Sequence, residues 1–276
     1  MANNKITYNE RDFNAYSRST IYIQKQTNRL LSFSLLWLGV AILFIGLITF
    51  AILSIPQLFG VYFRIALSIT SNAVTIIASV LLLIGINWGI SHYISKRALA
   101  EKPATIFLFL LFLVFVIANS FLLPMFFTFQ LLGESLGESL GKSHYIMIAI
   151  GGAGGLMTLI GVLGYFKVIN FGKILPLLMI GFLIELALGI ASYFIFSFSS
   201  VLEVLYSLTG ITVTLGMIGY QFWLIRNQSS QILAFYDDEA EIKRVFIRIA
   251  IWNALTLYVS FIRLILFIIR LLNSRF

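Results

Sequence analysis

The chain contains seven apolar runs long enough to cross a lipid bilayer, and they constrain its fold more than any other feature. A helix needs about 20 mainly apolar residues to span the hydrocarbon core. Charged residues make up only 11% of the sequence, against about 25% in an ordinary soluble domain. We therefore predict an all-α, polytopic membrane protein surrounded by the lipid bilayer. Its predicted spans are 31–55, 70–93, 105–129, 144–166, 174–198, 203–226 and 248–271.

The distribution of positive charge predicts the orientation of these spans. Fourteen of the 19 Lys and Arg residues fall on one side of the predicted membrane and four on the other. Short cytoplasmic segments carry the excess of positive charge in membrane proteins. We predict a cytoplasmic N-terminal segment at 1–30, a seven-helix membrane domain at 31–276, and a C-terminus outside the cell membrane.

Residues typical of catalytic or cofactor sites are few. The chain has no cysteine, and its two histidines, His92 and His144, are placed near opposite faces of the predicted membrane. Zinc takes three or four protein ligands, and a Schiff-base cofactor would need a lysine inside a span. We therefore expect no enzyme, no metal and no cofactor. The net charge of +8 follows the membrane topology and predicts no nucleic-acid partner.

Two further patterns predict local structure. The run G-G-A-G-G at 151–155, followed by Gly161 and Gly164, predicts close helix packing because small residues let membrane helices approach each other. The acids at 237–241, followed by bases, match a helix dipole and predict a helix that runs into the seventh span. Residues 227–247 are otherwise predicted as one of the two longest loops.

Two charges lie inside predicted spans, Glu185 in the fifth and Arg263 in the seventh. A charge at mid-bilayer costs about 2.5 kcal/mol or more, so such residues usually face the bundle interior and pair. At about 1.5 Å per residue, their depths differ by roughly 6 Å, which an arginine side chain can reach. We predict a Glu185–Arg263 ion pair. The alternative is that Arg263 extends to the membrane surface and Glu185 stays protonated.

Polar residues near these charges form two stripes. In the seventh span, four of them lie within an arc of about 80° at 100° per residue: Asn253, Thr256, Ser260 and Arg263. In the sixth span, three repeat at heptad spacing: Ser207, Thr214 and Gln221. Each stripe predicts one polar face of a helix.

The last two spans carry a family resemblance. The segments A-L-T-L-Y-V-S-F-I-R-L-I-L-F-I-I-R-L-L (254–272) and L-T-G-I-T-V-T-L-G-M-I-G-Y-Q-F-W-L-I-R (208–226) resemble the Bax inhibitor-1 family, and G-V-L-G-Y-F-K-V-I-N-F-G-K-I-L (161–175) is similar to a further family segment. The resemblance implies six helices around a central seventh and a calcium-leak activity. It also implies a pH-responsive latch made by two aspartates on spans six and seven.

The chain departs from the family pattern at the latch. Gln221 and Ser260 stand at the two aspartate positions, and Arg263 replaces an asparagine. Neither a glutamine nor a serine side chain titrates near neutral pH, so the proton switch is not inherited. A fixed arginine also repels cations in a narrow path.

Two functional hypotheses therefore stand. In the first, the protein is an ion (calcium) leak channel with an altered or lost pH latch, and the lining residues are Glu185, Gln221, Ser260 and Arg263. In the second, it is a non-conducting regulator of a membrane protease or another protein partner. Residues 1–30 are then the handle, and the polar stripe with Asn253 and Thr256 joins helices.

Overall fold

The computed structural model describes residues 4–70, 85, 89–90, 92–94, 96, 105–120, 142–194, 200–235 and 238–273. Within these ranges the regular elements are all helices, which confirms the predicted all-α class. They are α1 (Asn4–Ser54), α2 (Pro56–Thr70), α3 (Thr105–Ser120), α4 (Lys142–Tyr165), α5 (Phe171–Phe194), α6 (Ser200–Phe235) and α7 (Glu239–Asn273).

Five of these helices are long and apolar enough to cross a membrane, which confirms a polytopic membrane protein. The apolar spans are Ile21–Ile52, Met147–Tyr165, Phe171–Gly189, Val201–Ala234 and Glu239–Leu272. The apolar part of α3, Ile106–Ser120, is shorter, and its predicted continuation at 121–129 lies outside the described residues. Most of the predicted second span also lies outside them, although the few described positions between 85 and 96 are helical. The count of seven spans stays a prediction.

The last helix, α7, lies at the centre of the bundle. Half of its apolar span is buried, against 17% to 28% of the other four spans. Helices α1, α3, α4 and α6 all pack against it. Its Tyr258 ring is fully buried and meets Phe115 of α3 edge-on, with ring centroids 6.3 Å apart. The predicted central position of the seventh helix is thus confirmed.

Helices α6 and α7 extend well beyond the predicted spans. The prediction of a long loop at 227–247 is wrong, because α6 continues to Phe235 and α7 begins at Glu239. The Asp238 carboxylate accepts a hydrogen bond from the Ala240 amide at 3.2 Å, and Glu239 and Glu241 lie in the first turn. This confirms the predicted dipole-matched helix start. Arg226 and Arg248 mark the ends of the apolar sequence, but the helices continue beyond these residues.

Helix α1 is continuous over 51 residues, from Asn4 to Ser54. At about 1.5 Å per residue it is roughly 76 Å long, more than twice the hydrocarbon thickness of about 30 Å. The predicted boundary at residue 30 lies inside it. Leu30 is fully buried, and the Thr27 hydroxyl hydrogen-bonds the Ser229 hydroxyl of α6. The residues just before position 30 therefore contact the bundle.

A tight turn connects α4 to α5. The Val168 amide donates to Leu163 O at 3.1 Å and the Lys167 amide to Gly164 O at 3.2 Å, which is the Schellman arrangement at a helix C-terminus. Lys167 takes a positive φ of 57° there, a position usually held by glycine. This turn reverses the chain so that α4 and α5 both pack against α6.

Glycines on α6 allow α5 to pack closely along it. A Cβ at Gly216 would lie 2.2 Å from Leu178 Cδ2, and one at Gly219 would lie 2.4 Å from Phe171 Cζ. Side chains of α5 therefore lie directly on the α6 backbone. This contact holds α5 at the periphery of the bundle, and only 17% of its apolar span is buried.

The glycine-rich part of α4 shows where close packing occurs. A Cβ at Gly164 would lie 2.4 Å from Gly219 O, and one at Gly161 would lie 2.8 Å from Phe222 Cε2, so the prediction is confirmed for these two positions. Within the run 151–155, Ala153 is fully buried, and among the glycines a Cβ would come within 4 Å of a described neighbour only at Gly152, at 3.8 Å. Close contact is made by the last two turns of α4.

Candidate functional site

The predicted pair of intramembrane charges is present in the structure. Nη2 of Arg263 on α7 donates a hydrogen bond to Oε1 of Glu185 on α5. Glu185 is only 6% exposed, although α5 is peripheral, because its side chain is directed toward the bundle. The predicted Glu185–Arg263 ion pair is therefore confirmed as a contact, while its role stays a prediction.

Aromatic rings surround the Arg263 guanidinium. Its Cζ lies 5.3 Å from the centroid of Phe182 on α5 and 5.6 Å from that of Phe267 on α7. Such cation–π contacts contribute about 0.5–2 kcal/mol each. The second carboxylate oxygen of Glu185, Oε2, is buried and accepts no hydrogen bond from the described part of the chain. Among the described residues, the Glu185 carboxylate is thus hydrogen-bonded by one side chain through one oxygen, and its other oxygen accepts no hydrogen bond.

A second ion pair lies toward the C-terminal end of α7. Arg270 Nη2 is 3.8 Å from Oε1 of Glu203, at the start of α6. The Arg270 Cζ also lies 4.7 Å from the Tyr206 ring centroid. Sequence reasoning missed this pair because both charges are near span ends, where charged residues are common. The seven-residue spacing of Arg263 and Arg270, which places them on one face of α7, was the available signal.

The two former latch positions are not joined by a hydrogen bond in the described structure. Ser260 Oγ donates to Thr256 O of its own helix at 3.0 Å. Gln221 Oε1 is buried and has no hydrogen-bond partner among the described residues. Gln221 and Ser260 are therefore polar side chains on the neighbouring helices α6 and α7. No described hydrogen bond joins them in place of a carboxylate pair.

Among the described hydrogen bonds, only the two ends of the α7 polar stripe bind other helices. Asn253 Nδ2 donates to Gln228 Oε1 of α6 at 3.1 Å, and Arg263 binds Glu185. Thr256 and Ser260, between them, donate to carbonyl oxygens of α7 itself. Gln228 was not identified from sequence, since an amide near a predicted span end carries no distinctive pattern.

The predicted polar face of α6 is largely buried. Ser207 is 0% and Thr214 1% exposed, and both hydroxyl oxygens have no hydrogen-bond partner among the described side chains and backbone. Small hydroxyl residues at such positions permit close helix contact. The heptad spacing of these residues thus identified a face of α6 that is buried in the bundle.

Comparison with protein families identifies the group to which this bundle belongs. A family model described as "Inhibitor of apoptosis-promoting Bax1" matches residues 27–276, which is almost the whole chain. The chain belongs to the Bax inhibitor family. The match begins near the first described contacts of α1 with the bundle, at Thr27, and includes both ion pairs. A comparison with curated proteins found no match.

Within this Bax inhibitor family member, the site brings together the peripheral helix α5, the central helix α7 and α6 between them. Its chemistry is electrostatic: one buried and one half-exposed carboxylate, carried by α5 and α6, pair with two guanidinium groups of α7. Such an arrangement can hold helices together or release them. Of the predicted site residues, it includes Glu185 and Arg263, while Asn253 lies at the other end of the stripe.

Proposed function

We propose that this Bax inhibitor family protein is an ion (calcium) leak protein in which the Glu185–Arg263 pair closes the path. The observation that carries the proposal is the burial of Glu185 on a peripheral helix, where Arg263 of the central helix holds it. Because α5 packs mainly on α6, this pair is its charged link to α7. Separation of α5 from α7 must break the link.

The interaction energy of the Glu185–Arg263 pair is small enough for the path to interconvert between a closed and an open state. A hydrogen bond to a charged group contributes about 1.5–3 kcal/mol net, which corresponds to roughly ten- to hundredfold in a closed–open equilibrium. Gln221 and Ser260 then serve as lining that carries no titrating proton. The closure differs from a carboxylate latch because it depends on a permanent positive charge.

Reconstituted vesicles test this proposal. Wild-type protein, Arg263→Gln and Glu185→Gln are compared for calcium and monovalent cation flux. We expect Arg263→Gln to raise calcium flux by about ten- to hundredfold, because it removes both the bridge and the repelling charge. Glu185→Gln should raise flux less, since the guanidinium remains.

Glu239→Gln is the matched control, because Glu239 also pairs with an arginine, Arg29, at 3.8 Å, but at the far end of α7. It should leave flux unchanged. Flat flux for all variants, in vesicles that respond to an added ionophore, contradicts the proposal. Equal responses of Glu239→Gln and Arg263→Gln contradict the role of this particular pair.

The proposal includes a location. The excess of Lys and Arg on one side of the predicted spans supports an N-terminus in the cytoplasm and a C-terminus outside the cell membrane. We propose no enzymatic step, because the site offers helix contacts and charge without a nucleophile and its base.

One observation favours a second candidate function, a non-conducting regulator of a membrane protease or another protein. Helix α1 begins at Asn4, and its first 17 residues, 4–20, are mostly polar and mixed in charge. At about 1.5 Å per residue, this extension is roughly 25 Å long. It precedes the region matched by the family model and is the part of α1 suited to hold a partner outside the bilayer.

A further inference from the structure

The two ion pairs of the site lie on one line along α7. We call Glu185–Arg263 the buried pair and Glu203–Arg270 the terminal pair. Their arginines are seven residues apart on α7, about 10 Å at 1.5 Å per residue. The acids come from different helices, Glu185 from α5 and Glu203 from α6. Both pairs therefore hold α7, and each holds it to a different neighbour.

Two aromatic rings fill the interval between the pairs. Phe267 lies one turn beyond Arg263, and its ring is within 5.6 Å of the Arg263 Cζ. Tyr206 lies 4.7 Å from the Arg270 Cζ. The two rings meet edge to face, with centroids 5.4 Å apart and planes at 69°. A continuous series of contacts thus leads from the buried guanidinium to the terminal one.

A glycine on α6 fixes the position of the Phe267 ring. A Cβ at Gly210 would lie 2.4 Å from both Cε1 and Cζ of Phe267, so the ring rests on the α6 backbone. Phe267 is itself only 7% exposed. The ring has little space to move while α6 and α7 stay together, and the Arg263 guanidinium also lies against it.

We infer that Phe267 is a positioning residue that, with Tyr206, couples the buried pair to the terminal pair, so that the two open and close as one unit. The inference rests on the proposed role of the buried pair as a closure. A change at the terminal pair, where Arg270 and Glu203 are 41% and 37% exposed, is then transmitted to a carboxylate that solvent does not reach. The terminal pair becomes the accessible control point for the closure.

Distance measurements between spin labels test the coupling without measuring flux. The chain has no cysteine, so labels are placed only at Leu183→Cys on α5 and Val259→Cys on α7, both exposed positions. We expect Glu203→Gln and Arg263→Gln to shift the distance distribution to the same extent. The double variant should shift it no further, because each change releases the same unit.

Phe267 variants distinguish coupling from general structural support. With Phe267→Leu, the shift caused by Glu203→Gln should be lost, and Phe267→Tyr, which keeps the ring, should restore it. Gly210→Ala displaces the ring without altering either charge pair and should act like Phe267→Leu. If Phe267→Leu does not fold, the Glu203→Gln shift is instead measured in the Gly210→Ala and Tyr206→Leu backgrounds, where it should also be lost.

The controls make the outcomes separable. Glu239→Gln breaks an ion pair of the same 3.8 Å length and should not change the α5–α7 distance. A label pair at Ile148 on α4 and Val259 should stay unchanged in all variants. Additive shifts in the double variant, or an undiminished Glu203→Gln effect with Phe267→Leu, overturn the inference. Absence of flux with these distance changes intact contradicts the proposed leak alone.

Discussion

Arg263 shows how a single charge is accommodated in the most buried helix of the bundle. Its guanidinium meets a carboxylate and two aromatic rings, and the side chain is 30% exposed. Transfer of two charges out of water is costly, so a buried pair often stabilises a fold no better than two apolar side chains. A lone charge left in the same place is strongly unfavourable. We therefore expect the pair to specify which helices meet more than it stabilises the fold.

This energetic asymmetry predicts the effect of apolar substitutions. Glu185→Leu should lower the free energy of unfolding by about 3 kcal/mol, because it leaves Arg263 without its partner. The double variant Glu185→Leu/Arg263→Leu should recover most of that loss. The measurement is reversible unfolding in mixed detergent micelles.

The control for this comparison is Glu239→Leu, at a carboxylate that is 77% exposed. It should change stability by no more than about 0.5 kcal/mol. If the double variant is as unstable as the sum of its two single variants, the buried pair stabilises the fold in its own right and our interpretation is wrong.

The residues of the site differed in how far sequence could identify them. Glu185 and Arg263 were predictable because charges inside apolar spans are rare, and helix rise alone placed them within reach. Arg270, Glu203 and Gln228 lie near span ends, where polar residues are ordinary. The series through Phe267 and Tyr206 depends on which rings face each other, and helix periodicity does not determine that in an apolar sequence.

At the level of helices, α6 is the element on which the others are assembled. Its glycines receive side chains of α5 and α7, and at Gly219 its backbone meets the α4 backbone beside Gly164. Without a hydrophobic driving force in lipid, such close contact supplies the packing energy that joins membrane helices. Sequence indicated small residues in α4, but only the three-dimensional arrangement shows which of them meet a neighbour.

A pair of alanine substitutions in α4 tests this packing. Gly164→Ala should destabilise the protein by about 1–3 kcal/mol, because its Cβ would lie 2.4 Å from Gly219 O, a backbone atom that cannot rotate away. Gly155→Ala, on the same helix and exposed, meets no described atom within 4 Å. It should be neutral or stabilising, since alanine favours helix more than glycine does.

Thermal unfolding of both alanine variants in the same detergent gives the comparison. Equal losses at the two positions would show that glycine itself, and not the α4–α6 contact, is what the helix requires. The opposite order, with Gly155→Ala the less stable, would indicate that the exposed glycine face of α4 meets another molecule in solution.

At the level of the whole molecule, hydropathy predicted the membrane class and the family resemblance implied the central seventh helix, but neither predicted the lengths of the helices. An apolar run ends where the chain leaves the hydrocarbon core. A helix can continue beyond that point, because its backbone hydrogen bonds form in water as well. For this reason α1, α6 and α7 are 51, 36 and 35 residues long, each longer than its predicted span. The predicted division of the chain at residue 30 falls within α1, which is continuous there.

Contacts before residue 30 predict that two N-terminal truncations will differ. Thr27 bonds Ser229, Asn28 accepts from the Tyr165 hydroxyl, and Leu30 is fully buried. Removal of residues 1–30 should therefore lower the thermal stability of the bundle more than removal of 1–20, which keeps these three contacts. The measurement is thermal unfolding of both truncated chains beside the full chain.

The same truncations separate the two candidate functions. If the α1 extension holds a partner such as a membrane protease, cross-linked pull-down from membranes should recover it with the full chain and lose it with the chain lacking 1–20, although that chain is still folded. Under the proposed leak function, calcium flux depends on α5 and α7 and should be unaffected by this truncation. Flux lost together with residues 1–20, at unchanged thermal stability, would instead place the extension in the conducting machinery. Recovery of the same partner by both chains would exclude the extension as its binding site.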